Sequence, residues 1–96
     1  MKEADYQKKI INKFEANGYY VLKLIKTNKN GIPDLLCLKE GEEPIFIEVK
    51  TATGVLSTLQ KFRLKELKEK GFKSFFTKKD VLIRFLNLFL LILQSN

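Results

Sequence analysis

Histidine and tryptophan are missing from the sequence, which holds only one cysteine, one methionine and two prolines in 96 residues. Without histidine, hydrolysis that depends on an imidazole base is excluded. A single cysteine cannot supply the Cys and His ligands of a structural zinc site either. Cys37 also has no partner for an internal disulfide, which points to a reducing compartment. Lying inside an apolar run, with no His to act as its base, it reads as a small core residue rather than a nucleophile. No basic segment followed by an apolar stretch opens the chain, so no signal peptide is expected and a cytoplasmic location is. No apolar run is long enough to cross a bilayer: Val81–Leu93, interrupted only by Arg84 and Asn87, falls short of the ~20 residues a spanning helix needs. No internal repeat or low-complexity segment is present.

The residues that are plentiful point in two directions. Hydrophobic residues make up 45% of the chain, with eight Phe and three Tyr, enough to build a core and to argue against disorder. A chain of this size is expected to be a single domain over 1–96, burying about 60–65% of its unfolded surface. Eighteen Lys and Arg against eleven Asp and Glu give a net charge of +7, which favours a polyanionic partner such as nucleic acid. Surface lysines that merely keep a small protein soluble are the plainer reading of the same charge.

Periodicity gives an order of elements. Tyr6, Ile10, Ile11 and Phe14 recur at helical spacing, so Glu3 to Asn17 is expected to be a helix stopped by Gly18. Glu3 and Gln7 extend its apolar stripe toward the N-terminus, placing an acid and an amide where the pattern predicts core. Tyr19 to Lys26 reads as a strand. Thr27-Asn28-Lys29-Asn30-Gly31 has turn composition, and its lysine would stand just before Asp34, where a phosphate backbone could approach; an ordinary solvated turn is the alternative. Two stretches with apolar runs then follow, Gly31 to Leu38, in which Asp34 opens the run, and Pro44 to Lys50, joined by a turn at Lys39-Glu40-Gly41-Glu42-Glu43. Ser57 and Gln60 fit the first and last positions of a capping box, opening a helix that runs to Lys70 with Leu59, Phe62 and Leu67 inward. Lys61, Lys65 and Lys68 form a stripe on another face, which is either solvated or tracks phosphates. Lys73 to Thr77 reads as a fourth strand. Asp80 can cap a last helix over Val81–Leu93, so apolar that a partner chain is expected to cover part of it.

The chemistry is concentrated in the two runs. A strand alternates its side chains, so Phe46, Glu48 and Lys50 share one face while Ile45, Ile47 and Val49 share the other. If the runs pair as a hairpin, Asp34 lies near Glu48, and Asp34, Glu48 and Lys50 converge. A surface ion pair between Glu48 and Lys50, worth only about 0–1 kcal/mol, is the bland alternative.

The order Pro33-Asp34, a spacer, then Glu48-Val49-Lys50 resembles the PD-(D/E)xK nuclease superfamily. With Gly31-Ile32 ahead of it and Thr51-Ala52-Thr53-Gly54-Val55-Leu56-Ser57-Thr58-Leu59-Gln60 behind, it is similar to the VRR-NUC branch, in its stand-alone viral or phage form. The resemblance runs from about Glu3 to Asp80. It implies an α/β fold with a restriction-endonuclease-like αβββαβα core, a central mixed four-stranded sheet flanked by helices. It also implies Glu3, Asp34, Glu48 and the Val49 carbonyl as oxygen ligands for Mg²⁺ or Mn²⁺, with Asp34, Glu48, Lys50 and Gln60 as catalytic residues. Lys29, Lys61 and Lys65 become candidate nucleic-acid contacts. The implied activity is Mg-dependent endonucleolytic hydrolysis of DNA, in a homodimer that resolves Holliday junctions; the apolar Val81–Leu93 run offers the self-complementary patch through which two copies would pair. The location would be host cytoplasm if the source is viral. A flap or duplex nickase, a non-catalytic nucleic-acid binder on the same fold, and an interaction module acting through the last helix are the competing readings.

Overall fold

The computed structural model describes residues 2–78. In chain order these form α1 (Glu3–Ala16), β1 (Tyr20–Lys23), β2 (Leu35–Leu38), β3 (Ile45–Lys50), α2 (Thr58–Glu69) and β4 (Lys73–Lys78). The expected last helix over Val81–Leu93 lies outside the described residues.

Helix α1 starts where Asp5 accepts a hydrogen bond from the Lys2 backbone N–H at 2.9 Å, satisfying one of the donors a helix end leaves open. Its stripe of Tyr6, Ile10 and Phe14 is spaced by four residues and is buried to 1% exposure or less. The helix ends at Asn17, with Gly18 in the left-handed region at φ +87°. Lys39 then donates to the Asn17 carbonyl at 3.0 Å, placing a cation at the negative end of the helix dipole.

The strands form one sheet in the order β1-β2-β3-β4. β1 with β2 and β2 with β3 are antiparallel, so short turns connect them, whereas β3 with β4 is parallel and requires the crossover that α2 provides. The result is the expected mixed four-stranded sheet; the described residues follow the order αβββαβ, and the final helix of the expected αβββαβα core lies outside them. Alternate residues of the two central strands, Leu35 and Cys37 with Ile45, Ile47 and Val49, join the α1 stripe and Tyr19 in one core. Each large aliphatic or aromatic side chain removed from water there contributes roughly 1.5–3 kcal/mol. Cys37 belongs to this core, and burial pushes its thiol up to about 12, so it is inert as a nucleophile.

Two expectations need correction. The first strand stops at Lys23 rather than Lys26. One more bond, Leu24 N–H to the Asp34 carbonyl at 2.8 Å, prolongs the pairing. Beyond it, Gly31 at φ +80° turns the chain before Ile32 can pair with Lys26. The second helix does not point Leu59, Phe62 and Leu67 inward: Leu64 is its buried residue, Leu67 is half-buried, and Leu59 and Phe62 are 41% and 52% exposed. The cause is that α2 packs along β4, at the end of the sheet, where a single strand covers only a narrow line of a helix. Among the described residues no helix is long and apolar enough to cross a membrane.

Candidate metal centre

The site is a consequence of strand register. Leu35 stands opposite Ile47 and Leu36 opposite Phe46, so continuing the pairing sets Asp34 opposite Glu48 and Pro33 opposite Val49. Directly opposed residues of an antiparallel pair present their side chains on the same face, which brings the two acids together. Asp34 is held there by its own strand neighbour, because its Oδ2 accepts the Val49 backbone N–H at 2.9 Å. Pro33 has no N–H to donate, so it cannot occupy the Val49 carbonyl from across the ladder. Glu3 arrives from the first turn of α1, where Asp5 has already taken the capping role. One carboxylate oxygen each of Glu3, Asp34 and Glu48 lies within 4.8 Å of the others.

The electrostatics of this triad are unfavourable for three bare anions. Glu48 is 1% exposed, and its Oε1 is buried with no hydrogen-bond partner. Burial, a hydrogen bond with Asp34 and the negative charges of Asp34 and Glu3 raise its carboxyl to about 8, against the opposing pull of Lys50. The Lys50 ammonium stands 3.8 Å from Glu48 Oε2 and is 16% exposed, so the pair is no ordinary surface ion pair. An orphaned buried carboxylate oxygen with two further acids within reach makes a donor set that fits a hard divalent cation such as Mg²⁺ or Mn²⁺.

The other sequence-predicted residues lie on the loop before β2 and on α2. Gln60 forms the capping box with Ser57: its backbone N–H donates to Ser57 Oγ at 3.1 Å, and its Oε1 accepts from the Ser57 N–H at 2.9 Å. Its carbonyl oxygen is thus committed to the helix end, leaving the amide NH₂ as the part a ligand can use. Lys29 and Lys61 are exposed on the loop before Asp34 and on α2. Lys65 is also exposed and leans toward Glu69, 3.8 Å away. Arg63, which in the sequence only adds to the positive charge, donates from Nε to the Asn30 carbonyl at 2.9 Å and from Nη1 to Glu66 at 3.1 Å. No local pattern announces that contact, because it joins residues far apart in the chain.

Comparison with known proteins agrees with this fold. The model of the VRR-NUC domain family matches residues 1–78. A solved structure described as a VRR-NUC domain superposes with a TM-score of 0.74 at 29% identity, covering 85% of this chain and 94% of that one. Another, described as a VRR-NUC domain protein, gives a TM-score of 0.73 at 18% identity, covering 97% of this chain and 90% of its own, a likeness of fold. No curated protein matches the sequence.

Proposed function

The chain belongs to the VRR-NUC domain family, and on that premise we propose that it is a Mg²⁺- or Mn²⁺-dependent endonuclease that hydrolyses phosphodiester bonds of DNA. The observation that carries this reading is the meeting of Glu3, Asp34 and Glu48 around a carboxylate oxygen that is buried and unpartnered. A purely binding surface has no use for three acids facing a phosphate backbone.

In this reading Glu3, Asp34, Glu48 and the Val49 carbonyl would hold the cation, which would supply Lewis acidity and lower the pKa of water. Asp34 keeps its orientation through the Val49 N–H. Lys50, 3.8 Å from Glu48, acts as a donor that orients the attacking water and steadies the charge that builds on the phosphorus oxygens. Gln60 turns its amide NH₂ toward the same water or toward Lys50. Lys29, Lys61 and Lys65 meet the sugar-phosphate backbone, consistent with a +7 chain that binds mainly through charge.

The test is cleavage of branched, duplex and single-stranded DNA with and without Mg²⁺ or Mn²⁺. Metal-dependent cleavage by the unaltered chain, lost in Asp34→Ala, is expected; near-normal cleavage by Asp34→Ala would mean the centre lies elsewhere. Within this reading we further infer a Holliday-junction-resolving homodimer. One site cuts one strand per visit, whereas a four-way junction needs two related cuts, and a two-fold pair joined through the apolar Val81–Leu93 run supplies them. Sedimentation decides it: a monomer that nicks flaps or duplex and leaves junctions unresolved removes the resolvase and keeps the nuclease.

A further inference from the structure

The segment between Leu24 and Asp34 leaves the sheet and returns to it, because the Leu24 N–H to Asp34 carbonyl bond ties its two ends together. What lies between carries Lys26 and Lys29, both exposed, and leads directly into a ligand of the acid cluster. Left to itself such a loop would place its lysines anywhere within reach. Here it is fixed at two levels. Internally, Thr27 Oγ1 donates to the Lys29 carbonyl at 2.7 Å and accepts the Lys29 N–H at 3.3 Å, so the backbone at Lys29 is gripped from within.

The second level is the attachment to α2. Leu59 lies so close beneath Gly31 that a Cβ there would stand 2.7 Å from Leu59 Cγ, which explains both the glycine and the partial exposure of the leucine. One turn further on, Arg63 reaches the Asn30 carbonyl with Nε at 2.9 Å, while its Nη1 is braced by Glu66 at 3.1 Å and its guanidinium lies 5.3 Å from the Phe62 ring centroid. Its side chain is only 16% exposed. A guanidinium engaged on three sides, with its charge matched by Glu66, is poorly suited to seize a phosphate directly. It is well suited to hold a loop, since a planar fork keeps two acceptors in fixed relation where an ammonium cannot.

We propose that Arg63 is a positioning residue: by clamping the Asn30 carbonyl to α2, it sets where the Lys29 ammonium meets the sugar-phosphate backbone of a nucleic acid entering the acid cluster. This rests on the nuclease reading, and it adds a division of labour. The acids hold the cation whether or not Arg63 is present, whereas the register of the substrate on that cation depends on it.

The experiment is a double-mutant cycle on DNA binding with catalysis withheld by Ca²⁺, using Arg63→Lys, Arg63→Gln, Lys29→Ala and the two combinations, alongside Mn²⁺ titration and amide hydrogen exchange. Both Arg63 variants should weaken DNA binding to similar extents while leaving Mn²⁺ affinity unchanged. Lys29→Ala should cost less in either Arg63 background than alone, by roughly threefold or more, the scale of coupling within one network. Exchange should quicken at residues 27–31 and not in α1 or β3. Lys65→Ala, the control, should add independently. An Arg63→Lys chain indistinguishable from the unaltered one, strictly additive losses with Lys29→Ala, or faster exchange throughout the chain would each overturn the proposal while the nuclease reading stands. Failure of the unaltered chain to bind or cut DNA would instead remove the nuclease reading, and this inference with it.

Discussion

The two helices of this protein attach to the same sheet by different physics. α1 is held by apolar burial: Tyr6, Ile10 and Phe14 disappear among Leu35, Cys37, Ile45, Ile47 and Val49. α2 buries Leu64, leaves Leu59 and Phe62 substantially exposed, closes its own N-terminus with the Ser57–Gln60 box, and is tied to the loop before β2 by the directional Arg63 bond to Asn30. The acids emerge between these regimes. Glu3 rides on the rigid helix, Asp34 and Glu48 on the central strands, and the basic residues on the loop and the more lightly held helix. A buried core keeps charges of like sign together against their repulsion, while directional hydrogen bonds fix a loop that the core does not cover.

The sharpest way to test this contrast is at the acids themselves. Glu48→Gln should abolish metal-dependent cleavage and yet leave the metal-free chain folded, because it removes a buried ionisable group that burial and two neighbouring acids disfavour as an anion. The same cause gives a pH signature. With Glu48 raised from its ordinary value of 4.5 to about 8 in the folded chain, the unfolded chain loses this proton first as pH rises. Metal-free stability contributed by this group should therefore be present below the ordinary carboxylate range and fall as pH climbs toward 8, by at most about 1.4 kcal/mol per pH unit. Urea unfolding at several pH values measures that slope. It should flatten in Glu48→Gln, and Mg²⁺ or Mn²⁺ should weaken it by competing with the proton; a slope unchanged in Glu48→Gln would assign it to another group.

Next in size is the difference between the helix faces. Phe14→Ala should cost about 3–5 kcal/mol, whereas Phe62→Ala should stay within about 0.5–1 kcal/mol. Equal losses in urea unfolding would mean that Phe62 is covered in solution and that the contrast between the helices is smaller than drawn here.

Ser57→Ala should cost about 1 kcal/mol, the usual value of an N-cap, because the first turn of α2 is closed by a polar box rather than by burial. If Gln60 acts only as the cap partner, Ser57→Ala and Gln60→Ala should lower stability alike and cleavage little; a cleavage loss confined to Gln60→Ala would mark its amide as part of the chemistry. The smallest effect is expected at Lys65, whose exposed pair with Glu69 contributes no more than about 0.5 kcal/mol. Its loss should instead reduce the slope of log affinity against log salt by about 1 if it meets a phosphate. An unchanged slope would return Lys65 to the solvated face.

Much of this molecule was legible in its residues because the relevant signals are local. Period-two alternation and a short acidic turn foretell a hairpin, and once Asp34 and Glu48 sit at matching ends of its strands, pairing alone brings them together. The four-residue spacing of Tyr6, Ile10 and Phe14 foretells the buried face of α1, and Ser57 with Gln60 foretells the start of α2. What tertiary structure decided are the matters in which distant segments compete for one place. Which side of α2 is buried depended on its packing along β4 at the end of the sheet, so Leu64 took the inward position over Leu59 and Phe62. The length of the first strand depended on where Gly31 turned the returning chain. The raised carboxyl of Glu48 depended on its burial and on Asp34 and Glu3 being brought beside it, and the bond from Arg63 to Asn30 on two segments meeting across 33 positions. Spacing along a chain encodes which face a residue shares; only packing settles how much water and which neighbours it finds there.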